Sequence, residues 1–110
     1  MWRLKDVAHG NDKHTNASLI KEKLLGLKGR IPGMTAIEVG LDFSRTDSSA
    51  DVVLYSEFID RKALEEYQVN PEHEIIKPFT GEASEERRIV DYEVWGNNKK
   101  RMEFSLPLFI

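Results

Sequence analysis

Two stretches, Ala36-Ile37-Glu38-Val39-Gly40-Leu41-Asp42-Phe43 and Val52-Val53-Leu54-Tyr55-Ser56-Glu57-Phe58-Ile59, decide how this chain folds. In the first, Ile37, Val39, Leu41 and Phe43 alternate with Ala36, Glu38, Gly40 and Asp42. A period of two gives a strand one apolar and one polar face. In the second, Val52, Leu54, Ser56 and Phe58 fall on one side, and Val53, Tyr55, Glu57 and Ile59 on the other. This strand is largely apolar on both faces. The polar residues 44–51 between the two stretches make them an antiparallel hairpin.

Working outward, Ala17, Ile20, Leu24, Leu27 and Ile31 recur at spacings of three and four, the stripe of an amphipathic helix. Asn11 or Asp12 caps its start after a turn over 8–12, and Gly29 with Ile31-Pro32-Gly33 ends it. Ahead of it, Trp2 and Leu4 alternate with Arg3 and Lys5 as a short strand. After the hairpin, Asp60 caps a helix carrying Ala63, Leu64 and Tyr67. Asn70-Pro71 interrupts that helix and restarts it, with Ile75, Ile76 and Phe79 as apolar contacts. A charged turn leads to a last strand over 89–95.

The element order is therefore βαββαβ. Right-handed crossovers place both helices on one face of a four-stranded antiparallel sheet, an α+β fold of ferredoxin-like type. The other face would leave Val53, Tyr55 and Ile59 in water. At ~25 cal/mol per Å² such exposure is costly, and an apolar patch of this kind marks an interface. The expected assembly is a homodimer packed through the sheet faces, a dimeric α/β barrel.

Composition narrows the function. A length of 110 residues suits one domain, and 16 basic against 19 acidic residues leave a net charge of −3. That balance exerts no pull toward nucleic acid or anionic lipid. The basic runs Arg87-Arg88 and Lys99-Lys100-Arg101 have no aromatic-laced basic face beside them. With no cysteine, disulfides, thiolate metal sites and a cysteine nucleophile are excluded. No run approaches ~18 apolar residues, so no membrane span is expected. Residues 1–6 lack the apolar stretch of a leader, and the expected location is cytoplasmic. His9 and His14, five apart, miss the spacing that sets two imidazoles on one helical face, and no zinc site is expected. No cofactor is expected either. Gly26, Gly29 and Gly33 stop a helix and cradle no phosphate, and there is no Gly-x-Ser-x-Gly elbow.

His73 is the strongest candidate for chemistry. At a helix start, amide dipoles favour a neutral imidazole, which suits a base near neutral pH. The plainer alternative is a histidine that caps the helix or packs at its seam with the sheet. Tyr67 either presents its hydroxyl to a ligand or fills the core. Tyr55 and Glu57 share a strand face that looks into a cavity or into the dimer interface, and Trp2 completes the expected ligand wall. A buried Glu57 could assist proton transfer; the plainer alternative is an edge salt bridge or a solvent-exposed carboxylate.

Met1-Trp2-Arg3-Leu4-Lys5-Asp6, Lys28-Gly29-Arg30-Ile31-Pro32-Gly33, Ser56-Glu57-Phe58, Tyr67, Asn70-Pro71-Glu72-His73 and Asp91-Tyr92-Glu93 carry a resemblance. In order and spacing, the chain resembles the stress-responsive dimeric A/B barrel family across residues 1–94, with 95–110 as a C-terminal extension of unclear role. The resemblance implies a stress-response protein that binds a small apolar or aromatic ligand between helices and sheet. Some members are cofactor-independent polyketide cyclases. By resemblance, His73 takes the role of general base and Tyr67 orients the substrate. A cyclase-, isomerase- or monooxygenase-like enzyme, a binding module and a structural stress protein all fit. Asn70 stands where the family often has histidine, and the family's first strand starts several residues earlier. Residues 104–110 are almost wholly apolar. Residues 102–106 are expected either to lie extended against the sheet or across the partner, in the place a longer first strand would take, with Pro107 at the edge or end of the pairing, or to belong to a disordered tail.

Overall fold

Trp2–Leu4 forms β1, and Val7–Ala8 and Asn11–Asp12 form a two-stranded hairpin, β2 and β3. The computed structural model describes residues 1–94 and 98–104, with the backbone alone described at 94 and at 98–104. His9 and Gly10 turn the small hairpin at φ of 54° and 73°, the left-handed pair that a two-residue connection requires. The fully buried Asn16 donates to the Ala8 carbonyl at 2.9 Å and ties this hairpin down.

Helix α1 spans Lys13–Leu25, with the Asp12 carboxylate accepting from the Thr15 amide at 2.8 Å. It stops at Gly26, earlier than the apolar spacing predicts. Leu27 and Ile31 are buried all the same, because the turn after the helix folds back onto the core. Gly33, at φ 80°, is needed for a second reason. A Cβ there would lie 2.5 Å from the Cβ of Ala63.

The hairpin forms from β4, Met34–Leu41, and β5, Val52–Phe58, with Val39 opposite Leu54 and Leu41 opposite Val52, but β4 ends before Phe43, which is exposed and not part of the apolar face. Val52, Leu54, Ser56 and Phe58 face the helices and are buried, while Val53, Tyr55 and Glu57 lie half-buried on the other face. Ile59 falls in a bend beyond β5.

Helices α2, Arg61–Gln68, and α3, Pro71–Ala83, are the two pieces expected around Asn70-Pro71. The side chains of Asp60 and Asn70 cap them, accepting from the amides of Ala63 and Glu72. Of the contacts expected on α3, Ile76 is buried and Phe79 packs on the core, but Ile75 is 75% exposed. Adjacent residues point about 100° apart on a helix, so one stripe cannot hold both isoleucines.

The last expected strand, β6, starts at Ser84 and runs to Val94. The Ser84-Glu85-Glu86-Arg87-Arg88 run, read above as a turn, is strand. β6 is an outer strand of the sheet, where charged side chains reach solvent and guard the free edge. Trp95 lies outside the described residues.

Strand β7, Asn98–Phe104, inserts between β5 and β6, with Met102 opposite both Tyr55 and Val90. β1 pairs with the same two strands farther along, Trp2 standing opposite Val52 and Arg87. The two segments meet at Arg88, which faces Phe104 of β7 and donates its amide to the Met1 carbonyl. β1 and β7 thus run end to end along one line, both antiparallel to β6. The sheet is four strands wide, in the order β6, β1 with β7, β5, β4. Residues 102–104 occupy the place expected for the extended tail; Leu106 and Pro107 lie outside the described residues. Among the described residues, no helix is long and apolar enough to cross a membrane.

Candidate functional site

The Asn70-Pro71 break creates the site. Pro71 has no amide hydrogen to give and its ring fixes φ, so α2 ends and α3 starts at a corner. That corner brings the rings of Tyr67, in the last turn of α2, and His73, in the first turn of α3, to 4.0 Å at 16°, a stack. Phe58 of β5 also contacts the Tyr67 ring, tilted by 44° with centroids 5.3 Å apart. Tyr67 is fully buried and His73 is 6% exposed.

His73 Nδ1 sits 3.1 Å from the Tyr67 backbone carbonyl. A carbonyl can only accept, so Nδ1 carries the hydrogen. In the neutral ring that makes Nε2 the basic nitrogen. The same carbonyl accepts from the Asn70 amide at 3.2 Å. His73 therefore does cap a helix, though the end it caps is the C-terminus of α2 and not the start of its own helix.

A cavity of about 230 Å³ opens beside the ring, walled by Trp2, Leu24, His73, Ile76 and Thr80. Lys77, Arg87, Glu85 and Glu86 share its lining. Lys77 donates to the Gln68 carbonyl and to Glu74, each at 2.6 Å. This ammonium holds the Glu74 carboxyl below the usual carboxylate range. The Thr80 hydroxyl is buried and has no hydrogen-bond partner among the described residues.

Of the residues expected in the site, Trp2 and His73 share this cavity. Tyr67 stands behind the imidazole and is not part of the lining. Tyr55 and Glu57 are elsewhere. The Tyr55 hydroxyl donates to Glu57 Oε2 at 3.0 Å on the face of the sheet turned away from the helices, outside this cavity. Ile76, Lys77 and Thr80 were missed as site residues. Their spacing of three, four and seven from His73 puts them on one face of α3, a signal available once His73 is singled out.

With this geometry established, the chain matches the stress responsive A/B barrel domain, Dabb, over residues 1–94. The chain belongs to this family. The A/B barrel chain is also similar to a crystal structure of a dimeric protein of unknown function and ferredoxin-like fold from Bacteroides fragilis NCTC 9343. The two share 30% identity and a TM-score of 0.74, over 84% of this chain and 89% of that one. No curated protein matches significantly. The expected family and ferredoxin-like α+β fold hold for this A/B barrel.

Proposed function

We propose that this A/B barrel protein works as a homodimer packed through its open sheet faces, each protomer holding a small ligand beside His73. One observation carries the ligand. A buried hydroxyl without a partner, Thr80, lines a cavity together with a buried imidazole whose Nδ1 hydrogen is already committed. A polar atom left bare costs stability unless something bonds to it. At 230 Å³ the cavity is below the ~300 Å³ at which drug-sized pockets begin. The ligand is accordingly one ring or a short acyl chain with a hydrogen-bonding group. Trp2, Leu24 and Ile76 would cover its apolar part.

A second reading, a cofactor-independent cyclase- or isomerase-like enzyme, is favoured by the tautomer alone. With Nδ1–H on the Tyr67 carbonyl, Nε2 is the nitrogen able to act as general base. Tyr67 would then orient the imidazole by stacking and through its carbonyl.

Native mass spectrometry of the freshly purified protein tests the ligand reading. The expected result is a small molecule retained by the wild type and lost from Thr80→Val and His73→Asn. Retention undiminished in both variants would place any ligand elsewhere. A wild type that carries none, even after soaking with a library of small aromatic acids, would leave the structural role.

A further inference from the structure

We propose that a second cleft, between β1, the first turn of α1 and the β4–β5 loop, binds a small phosphorylated metabolite. The cleft has a volume of about 430 Å³ and shares no lining residue with the His73 cavity. Arg3, Lys13, His14 and Arg45 reach its lining from three separate parts of the chain. Arg3, Lys13 and Arg45 bring three fixed positive charges to a lining that holds two carboxylates, so the wall is net positive and attracts an anion.

Two acids, Asp42 and Asp51, also line the cleft, and each has a structural task. Asp42 accepts from the Arg45 amide at 2.8 Å, and Asp51 accepts from the Leu4 amide at 2.7 Å. They shape the loop and anchor β1. Lys13 lies 3.6 Å from Asp51 and 3.6 Å from Asp6, and Arg3 stands 3.9 Å from Glu85, so these two cations are only loosely held. The Arg45 side chain has no hydrogen-bond or ion-pair partner among the described residues. Its backbone sits at φ 53°, a left-handed conformation that non-glycine residues seldom adopt and that recurs at ligand sites.

The donors match a phosphate ester. A guanidinium fork and an ammonium suit a group with three charged oxygens. Thr46 and Ser49, whose hydroxyls share one hydrogen bond at 2.8 Å, leave a single hydroxyl hydrogen to donate at the same wall. The cleft is larger than a bare phosphate, which leaves room for the polar body of a sugar or similar carrier.

Titration calorimetry of the full chain with glucose 6-phosphate, inorganic phosphate and glucose tests this directly. The expected order is glucose 6-phosphate tightest, with Kd below ~1 mM at low salt, then inorganic phosphate, and no binding of glucose. Arg45→Asn keeps a residue that tolerates the left-handed backbone, so its Tm should match the wild type while affinity falls about tenfold or more. Arg45→Lys should recover part of that loss, and His73→Asn should leave the affinity unchanged. The proposal is overturned if no phosphate probe saturates by ~10 mM, or if Arg45→Asn binds as well as the wild type.

Discussion

A hydroxyl buried without a partner costs about 1–3 kcal/mol, and Thr80 carries one into the cavity beside His73. Thr80→Val keeps the shape and removes the orphaned group. Urea unfolding of the ligand-free protein should show a gain of about 1 kcal/mol, while ligand retention falls. A loss of stability would mean that the hydroxyl serves the fold. His73 behaves differently, because its ring stacks on Tyr67 and bonds to the Tyr67 carbonyl. His73→Ala should therefore cost on the order of 2–4 kcal/mol, making it a poor test of a base. His73→Asn places an amide N–H near the Nδ1 position and has no basic nitrogen. Any turnover found should vanish in His73→Asn with most of the stability kept; activity that survives would remove His73 from the chemistry. The nearness of His73 and Tyr67 could be read from Asn70-Pro71 between them. The separation of both from Tyr55 and Glu57 could not. β5 is apolar on both faces, and with Ser56 on the buried side, hydrophobicity alone does not say which parity meets the helices.

At the scale of elements, the caps were the reliable signals. Asp12, Asp60 and Asn70 each accept from the amide their sequence position predicts. Asn70→Ala should cost about 1 kcal/mol, which lowers Tm by roughly 4–8 °C in a domain of this size. Calorimetry checks it. Acid should loosen the helix starts in a defined window. Asp12 is held below the usual carboxylate range by the Thr15 amide, and Glu74 by Lys77. A carboxyl lowered in the folded state contributes stability above its unfolded pKa and loses it as pH falls through the folded one. Stability should thus decline from about pH 4 downward. In Asp12→Asn, which keeps a cap and removes the titration, that decline should be shallower. Less could be read where solvent or distant pairing decides. The charged start of β6 has no apolar period because its side chains reach water, and the early end of α1 is set by glycines inside a continuing apolar spacing. β7 is strand because β5 and β6 offer unpaired backbone along the line of β1. Removing residues 95–110 would strip partners from residues 54–58 of β5 and 88–94 of β6. A truncated chain with unchanged Tm would show that this pairing contributes nothing.

The whole molecule poses one question above the others, which is what covers the open face of the sheet. Val53 and Tyr55 lie there half-buried, with Val90 and Tyr92 on the β6 side and the β7 backbone between. Gly40 keeps the face low beside Val53, since a Cβ there would come within 3.0 Å of Val53 Cγ1. A stable homodimer needs roughly 800 Å² from each partner, an area that a four-stranded face can supply and that scattered exposed groups such as Phe43 or Ile75 cannot. Symmetric pairing would set the face against its own copy and bury each Tyr55–Glu57 hydrogen bond away from water. Light scattering at micromolar concentration should therefore report a dimer, with a Tm that rises with protein concentration. Val53→Asp puts a charge at the centre of this face, where an isolated protomer can hydrate it and a dimer cannot. The variant should be monomeric with its circular dichroism retained. A dimer that survives Val53→Asp would have to be built on another surface, and Phe43→Asp and Ile75→Asp would then be the variants to make. Because β7 lies in the middle of the same face, a chain lacking residues 95–110 should lose dimerisation along with stability. Loss of the dimer from the truncated chain, together with its loss from Val53→Asp, would tie the two-segment central strand to assembly and not only to the protomer.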